Sequence, residues 1–268
     1  MTRAISLFKS AQPVVAMIHA GALPGTPASR HNLREIVAQA EREARLYRDA
    51  GVDGLLIENM HDTPYMRGQV GPEIVAAMTV VVAAVKKAAS LPTGVQILAA
   101  ANREALAVAH ATGLDFIRAE GFVFAHVADE GIIQSCAAEL LRYRRAIGAE
   151  HVQIWADVKK KHSAHAVTVD VSIGETAYAV EFMRGDAVIV TGAFTGDAPR
   201  IDDIQATKKA TRLAVFLGSG VTAENVAELS AQADGFIVGS EFKVGGHWAG
   251  AVDGRRVRRF LRAAREAR

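Results

Sequence analysis

The sequence predicts a single (β/α)8, or TIM, barrel occupying the whole chain, and three observations predict it. Short β-branched runs alternate eight times with longer amphipathic or Ala-rich segments, the pattern of parallel strands returned by crossover helices. The length of 268 residues is close to the ~250 residues typical of a one-domain barrel. Small or turn-forming residues stand just ahead of strands in Ala50-Gly51-Val52-Asp53-Gly54, Thr112-Gly113-Leu114-Asp115 and Ala233-Asp234-Gly235, where glycine accepts the left-handed conformation that ends a helix.

In chain order the predicted strands are Val14 to His19, Gly54 to Asn59, Gly94 to Leu98, Phe116 to Glu120, Val152 to Val158, Ala187 to Gly192, Ala214 to Gly218 and Gly235 to Gly239. Each is short and mostly apolar, as a strand buried on both faces must be. Helices are expected near Leu33 to Asp49, Pro72 to Ala89, Arg103 to Thr112, Ser135 to Ile147, Glu175 to Phe182, Ile201 to Thr211 and Ala223 to Ala231, with an eighth from Asp253 onward. A doubly wound open sheet also alternates strand and helix, but no Gly-x-Gly-x-x-Gly follows the first strand. The stretch from Gly121 to Gln134 reads as a loop over the active face, with Asp129 and Glu130 as lid carboxylates.

Composition narrows the function classes. Half the residues are hydrophobic, 22% are charged and the formal net charge is +2, which is ordinary for a globular protein. The dense basic runs are Lys159-Lys160-Lys161 and the stretch from Arg255 to Arg268; the second reads as the solvated face of a terminal helix, so no nucleic-acid partner is expected. No apolar run reaches the ~18 residues of a membrane span. The one cysteine, Cys136, has no partner for an internal disulfide, which fits a reducing compartment and a cytoplasmic location. The opening MTRAISLFKS is basic and acid-free, a composition shared with organelle-targeting segments.

Barrel chemistry sits at the C-terminal ends of the strands. After the seventh strand comes Gly218-Ser219-Gly220-Val221-Thr222, and after the eighth Gly239-Ser240-Glu241. Glycines let backbone N–H groups converge on an anion and the hydroxyls add donors, so the paired loops predict a phosphate-bearing small-molecule ligand. Thr191 and Gly192 end the sixth strand beside them.

His19 closes the first strand and is suited to proton transfer or metal binding. Glu58 and Asn59 end the second; neighbouring strand residues face opposite ways, so one of the two points at the ligand. Arg118 and Glu120 share a face of the fourth strand and read as an ion pair. Asp157 and Lys159 share a face at the end of the fifth, where an acid and an amine can exchange a proton or the amine can form a Schiff base. No cofactor is assigned; a divalent metal is compatible with Asp62, His162 and His165 as candidate ligands, though their spacing lacks a regular metal signature. Cys136 lacks a placed base and reads as an unreactive thiol. Homo-oligomers are compatible with the fold, but no sequence stripe marks a surface.

Several segments in order, MIHAGALPGTP, DAGVDGLLIENMHDTPY, TGLDFIRAEGF, DEGIIQSCAAELLRYRR, WADVKKKHSAHA, VTGAFTGDAP, LGSGVTAENV and DGFIVGSEFK, resemble the BtpA family along nearly the whole chain. The resemblance implies a ribulose-phosphate-binding-type barrel, in a family named for a factor needed for stable photosystem I and with relatives in non-photosynthetic organisms. It places His19, Glu58, Asn59, Asp62, Arg118, Asp157, Lys159, His162, Thr191, Gly192, Ser219 and Ser240 in or beside family motifs without assigning their roles. The last two strands also resemble phosphoribosylanthranilate isomerases; here His19 stands where those enzymes carry Cys, and Thr191 or Gly192 where they carry Asp, which argues against that reaction. The expectations that result are an isomerase or lyase of a phosphorylated sugar or nucleoside-like compound, a metal-assisted hydrolase or nucleosidase using Glu58, Asp62, His162 and His165, or a non-catalytic assembly factor.

Overall fold

A computed structural model describes residues 2–192, 194 and 196–268. Eight parallel strands close into a barrel: β1 Val14–His19, β2 Gly54–Glu58, β3 Thr93–Gln96, β4 Phe116–Ala119, β5 Gln153–Val158, β6 Ala187–Thr191, β7 Ala214–Gly218 and β8 Gly235–Val238, with β8 hydrogen-bonded back to β1. The helices α1 Leu33–Ala50, α2 Pro72–Ala89, α3 Asn102–Thr112, α4 Ala137–Ala146, α5 Ile173–Phe182, α6 Ile201–Ala210, α7 Val226–Ser230 and α8 Gly254–Glu266 follow the strands in turn. Asn32 and Ser172 start α1 and α5 with reciprocal capping boxes to Glu35 and Glu175, each satisfying two of the N–H groups that a helix start leaves open.

Strand alternation separates two cores. One set of side chains packs outward against the helices, as Val14, Ala16 and Ile18 do from β1. The other fills the barrel, where Phe116 stacks on Trp155 at 3.8 Å and Trp155 on Phe216 at 4.3 Å. Gly94 makes this stack possible, because a Cβ there would occupy the ring of Phe116. Below, Ala4, Ile5 and Phe8 plug the barrel, with Phe8 6.1 Å from Trp155; the opening segment with targeting-like composition is therefore part of the core.

The lower rim repeats one device four times. Asp53, Asp115, Asp186 and Asp234 precede β2, β4, β6 and β8, and their carboxylates accept the N–H groups of Val14, Thr93, Ile154 and Val215 at 2.8–2.9 Å. Each of these aspartates also donates its own N–H to the carbonyl of the same residue. The sequence signal of an acid just ahead of a strand thus has a structural cause beyond helix termination.

The upper rim departs from the expected plain loop. Residues His126–Ala128 and Gly131–Ile133 form a hairpin, and Ser163–Ala164 from the loop after β5 adds a third antiparallel strand. Two loops thus share one small sheet over the barrel mouth. No described helix is long and apolar enough to cross a membrane.

Candidate active site

Side chains at alternate strand positions point up the barrel axis, and at the mouth this set becomes ionisable: His19, Glu58, Arg118 and Asp157 continue the rows begun below by Met17, Leu56, Phe116 and Trp155. A 230 Å³ cavity lies above them, bordered by His19, Glu58, Arg118 and by the loops after β7 and β8.

The anion-binding expectation maps onto one wall. Ser219 and Gly220 take consecutive positive φ values of 79° and 64°, which turns the backbone toward the cavity. A Cβ on Gly220 would run into the backbone of Asp197 and Ala198, so the β6 loop is seated directly on this glycine. The N–H groups of Gly220, Val221, Ser240 and Glu241 take no acceptor within the described chain, and all four residues border the cavity. Backbone donors of this kind suit a phosphate. Gly218 ends β7 beneath the loop, and Gly239 opens the turn after β8, its α-carbon facing Met17 and His19.

Not every hydroxyl contributes as expected. Ser219 Oγ accepts from the N–H of Gly196 at 3.0 Å and so fastens the β6 loop. Thr222 caps the turn into α7 with Asn225. Ser240 is the hydroxyl on this wall that has no partner among the described residues. Thr191 Oγ1 accepts from the Lys161 N–H at 3.2 Å, and Gly192 packs against Asp197; both shape the loop instead of bordering the cavity. Ala193 and Thr195, within the VTGAFTGDAP segment, lie outside the described residues.

Arg118 does not pair with Glu120. Its guanidinium bonds Asp157 at 3.0–3.2 Å, while Glu120 pairs with Lys160 at 3.1 Å and accepts the N–H of Ala100. Burial works against the charge on Arg118, but Asp157 and Glu58 more than offset it and hold the guanidinium protonated. Burial pushes Asp157 upward against the pull of Arg118; facing a guanidinium that does not release its proton, the pair stays ionic.

Glu58 faces the cavity and Asn59 does not. Asn59 turns outward, donating to Asp62 at 2.9 Å and accepting the Leu98 N–H at 2.8 Å. Burial raises the Glu58 carboxyl above its usual range, against the influence of Arg118 and Lys161. Lys159 is also displaced from its expected place: with φ of 46° it leaves the strand alternation, and its Nζ donates to the carbonyl of Thr168 at 2.8 Å. Lys161 borders the cavity instead. Burial and the neighbouring Arg118 lower its amine, while Glu58, Asp157 and Glu120 oppose the shift.

His19 is buried and held to about 3, by desolvation first and by the positive charge of Lys243 second. Its Nδ1 lies 2.9 Å from the carbonyl oxygen of Trp248, so Nδ1 carries the proton and Nε2 is an acceptor. Lys243 itself is buried against Glu43 of α1 at 3.1 Å. Trp248 closes the side of the cavity, 4.9 Å from the His61 ring and 6.3 Å from that of His19.

The expected metal ligands do not converge. Asp62 is engaged by the Leu23 N–H at 2.7 Å and by Asn59, and His165 bonds the carbonyl of Lys160. His162 stands in the loop at the mouth. Among the described residues no group of three His, Cys, Asp or Glu side chains is arranged to hold a metal ion. Cys136 is half-buried, its thiol near Asn102, and desolvation raises it, in keeping with an unreactive thiol.

Lys161, Lys160, Trp248, Tyr65 and Gln96 were not singled out from sequence. The run Lys159-Lys160-Lys161 was visible, but strict alternation selects its first member and the turn at Lys159 selects its third.

Together these features define a (β/α)8 barrel with a buried ionisable cluster at the mouth. The chain belongs to the BtpA family, whose model matches residues 10–266. It is 49% identical over 263 residues to an uncharacterized mitochondrial protein of Caenorhabditis elegans, covering 96% of this chain and 94% of that one. It is 35% identical over 260 residues to the photosystem I biogenesis protein BtpA of Synechocystis, covering 97% and 90%. Among solved structures, the (S)-3-O-geranylgeranylglyceryl phosphate synthase of Thermoplasma acidophilum, in complex with sn-glycerol-1-phosphate, superposes with a TM-score of 0.62 at 14% identity, covering 99% of both chains; that likeness is one of fold.

Proposed function

We propose that this protein is an enzyme that binds a phosphorylated small molecule and moves a proton on it, as an isomerase or lyase. The observation that carries this reading is the sharing of one cavity at the barrel mouth by the donor-rich loops after β7 and β8 and by Glu58 and Lys161. Burial shifts the two groups in opposite directions, the carboxyl up and the amine down. Such shifts bring an acid and a base toward a common range in which proton exchange is inexpensive. In this reading Glu58 is the acid, Lys161 the base, and Ser240 with the adjacent N–H groups holds the phosphate. Asp157 fixes Arg118, whose charge faces the developing anion, and His19 accepts a hydrogen bond from the ligand. Neutral His19 is too weak a base to lead the proton transfer.

The single unpaired cysteine favours a reducing compartment such as the cytoplasm, and the Caenorhabditis elegans relative carries a mitochondrial name.

The test is proton exchange. A panel of phosphosugars and phosphoribosyl compounds is incubated with the protein in D2O and followed by 1H NMR. The expected result is loss of one carbon-bound proton signal with the wild type and its retention with Glu58→Gln and Lys161→Ala. Exchange that survives both substitutions, or binding of the panel undisturbed by Ser219→Asp, removes this reading.

A further inference from the structure

The phosphate cavity opens into a second chamber of 320 Å³, and the two share Glu58, Met60, Arg118, Lys161 and Trp248. Joined, they reach the ~300–1,000 Å³ of small-molecule sites, so the ligand extends well beyond its phosphate. The chemistry of this far chamber is unlike that of the near one.

One wall is apolar, formed by Tyr65, Leu98 and Ala99, which pack as a small cluster of their own; the indole of Trp248 borders the same space. At the end of β3, Gln96 faces the chamber. It is 2% exposed, and its side-chain carbonyl is buried without a hydrogen-bond partner in the chain. A buried acceptor is ordinarily met, so this one marks the place of a ligand donor. Two of the charged groups beside it are already engaged, Arg118 with Asp157 and Glu120 with Lys160. Along the wall of Tyr65, Leu98, Ala99 and Trp248 the one buried acceptor left open among the described residues is that of Gln96, an arrangement that a flat ring with one N–H edge matches and a row of hydroxyls does not.

The lid adds a second constraint. Asp129 and Glu130, at the hairpin tip, border the far chamber and make no ion pair among the described residues. Two carboxylates there oppose a second phosphate group by charge repulsion.

We propose that the far chamber receives a planar nitrogen heterocycle, its N–H edge on Gln96 and its face along Trp248 and Tyr65, and that the ligand is therefore a nucleoside monophosphate or a similar phosphoribosyl compound carrying a single phosphate. The proposal rests on the phosphate reading of the loops after β7 and β8. Recognition is divided, with the anion held by backbone donors on one side and the ring read by a carboxamide on the other.

Calorimetric titration of the intact protein with inorganic phosphate, ribose 5-phosphate, the four ribonucleoside 5′-monophosphates and ADP tests it. At least one monophosphate is expected to bind about tenfold or more tighter than ribose 5-phosphate, an increment of one stacked ring and one met hydrogen bond. Gln96→Leu is expected to erase that advantage and leave ribose 5-phosphate binding unchanged. Asp129→Asn combined with Glu130→Gln, on the outer lid, is expected to bring ADP up to the affinity of AMP, and this variant does not touch the core. If no nucleotide exceeds ribose 5-phosphate, and both bind in the wild type but not in Gly220→Ala, the heterocycle proposal fails while the phosphate reading stands. If neither phosphate, ribose 5-phosphate nor any nucleotide binds, both fail.

Discussion

Arg118 and Asp157 form a buried ion pair across β4 and β5, with three N–H···O contacts of 3.0–3.2 Å and side chains 9% and 1% exposed. The pair fixes the floor of the mouth, because a guanidinium held along its Nε–Nη2 edge by both oxygens of one carboxylate has little freedom to turn. Asp157→Asn removes the charge and leaves Arg118 buried with only Glu58 and Glu120 as the carboxylates whose charge favours it. Breaking one side of a buried pair costs about 3–5 kcal/mol, so urea unfolding should show a loss of that order. A loss below about 1 kcal/mol would place the pair among solvated ones.

The two lysines of the β5 loop should behave oppositely. Lys161→Ala removes the amine that borders the cavity and should lower turnover about 100-fold or more, the usual scale for a general base. Lys159→Ala loses contacts with Thr168 at the outer side of the loop and should leave turnover within about threefold while lowering stability by about 1 kcal/mol. Steady-state kinetics on the two variants decide between them, and equal losses would put the expectation drawn from strand alternation back in place.

Gly220→Ala tests the phosphate wall at its tightest point. The new Cβ meets the backbone of Asp197 and Ala198 at a positive φ, so the β6 loop must lift. Titration with inorganic phosphate should show at least about a tenfold weaker affinity, with a melting temperature lower by several degrees, since the strained backbone costs about 1–3 kcal/mol. Unaltered phosphate affinity would move the anion away from this loop.

Acid should destabilise the protein through its buried histidines. His19 is held to about 3 in the folded chain and His126 to about 4, each chiefly by burial, while the unfolded chain takes up these protons near pH 6.5. Between these limits the unfolded state binds more protons than the folded one, so stability present above pH 6.5 is lost as pH falls toward 3. In urea titrations from pH 4 to 7, His19→Gln should flatten the slope by up to about 1.4 kcal/mol per pH unit. Equal slopes would mean that His19 titrates normally in the folded chain.

The barrel was legible because its signals are local and repeated. Alternation of apolar strands with amphipathic helices, and the turn residues ahead of β2, β4 and β8, need no knowledge of tertiary contacts. The glycine turns that border the cavity were legible for the same reason, since Gly218, Gly220 and Gly239 sit at fixed places relative to β7 and β8. The pairing of charges was not: Arg118 and Glu120 share a face in sequence, yet Asp157 on the adjoining strand reaches the guanidinium first, and Lys160 takes Glu120 from a loop. Alternation also fails once a strand ends, which is why it selected Lys159 when the chain had already turned to present Lys161. Gln96 and Trp248 carry no motif at all, and only the closed barrel brings them to one chamber. The capping boxes Asn32–Glu35 and Ser172–Glu175 were within reach, as both follow a simple spacing rule.

The four aspartate clasps at the lower rim divide the molecule differently from its mouth. Each joins an odd strand to the even strand that follows, so the floor is a ring of four like modules, β1 with β2, β3 with β4, β5 with β6 and β7 with β8. The mouth has no such symmetry, because each strand end there carries a different group. A chain reopened between modules, for instance in the turn between α2 and β3, keeps every clasp within a continuous stretch of sequence, whereas reopening between α1 and β2 parts Val14 from Asp53. The scaffold therefore has preferred seams, and they lie at the end of the barrel opposite the chemistry.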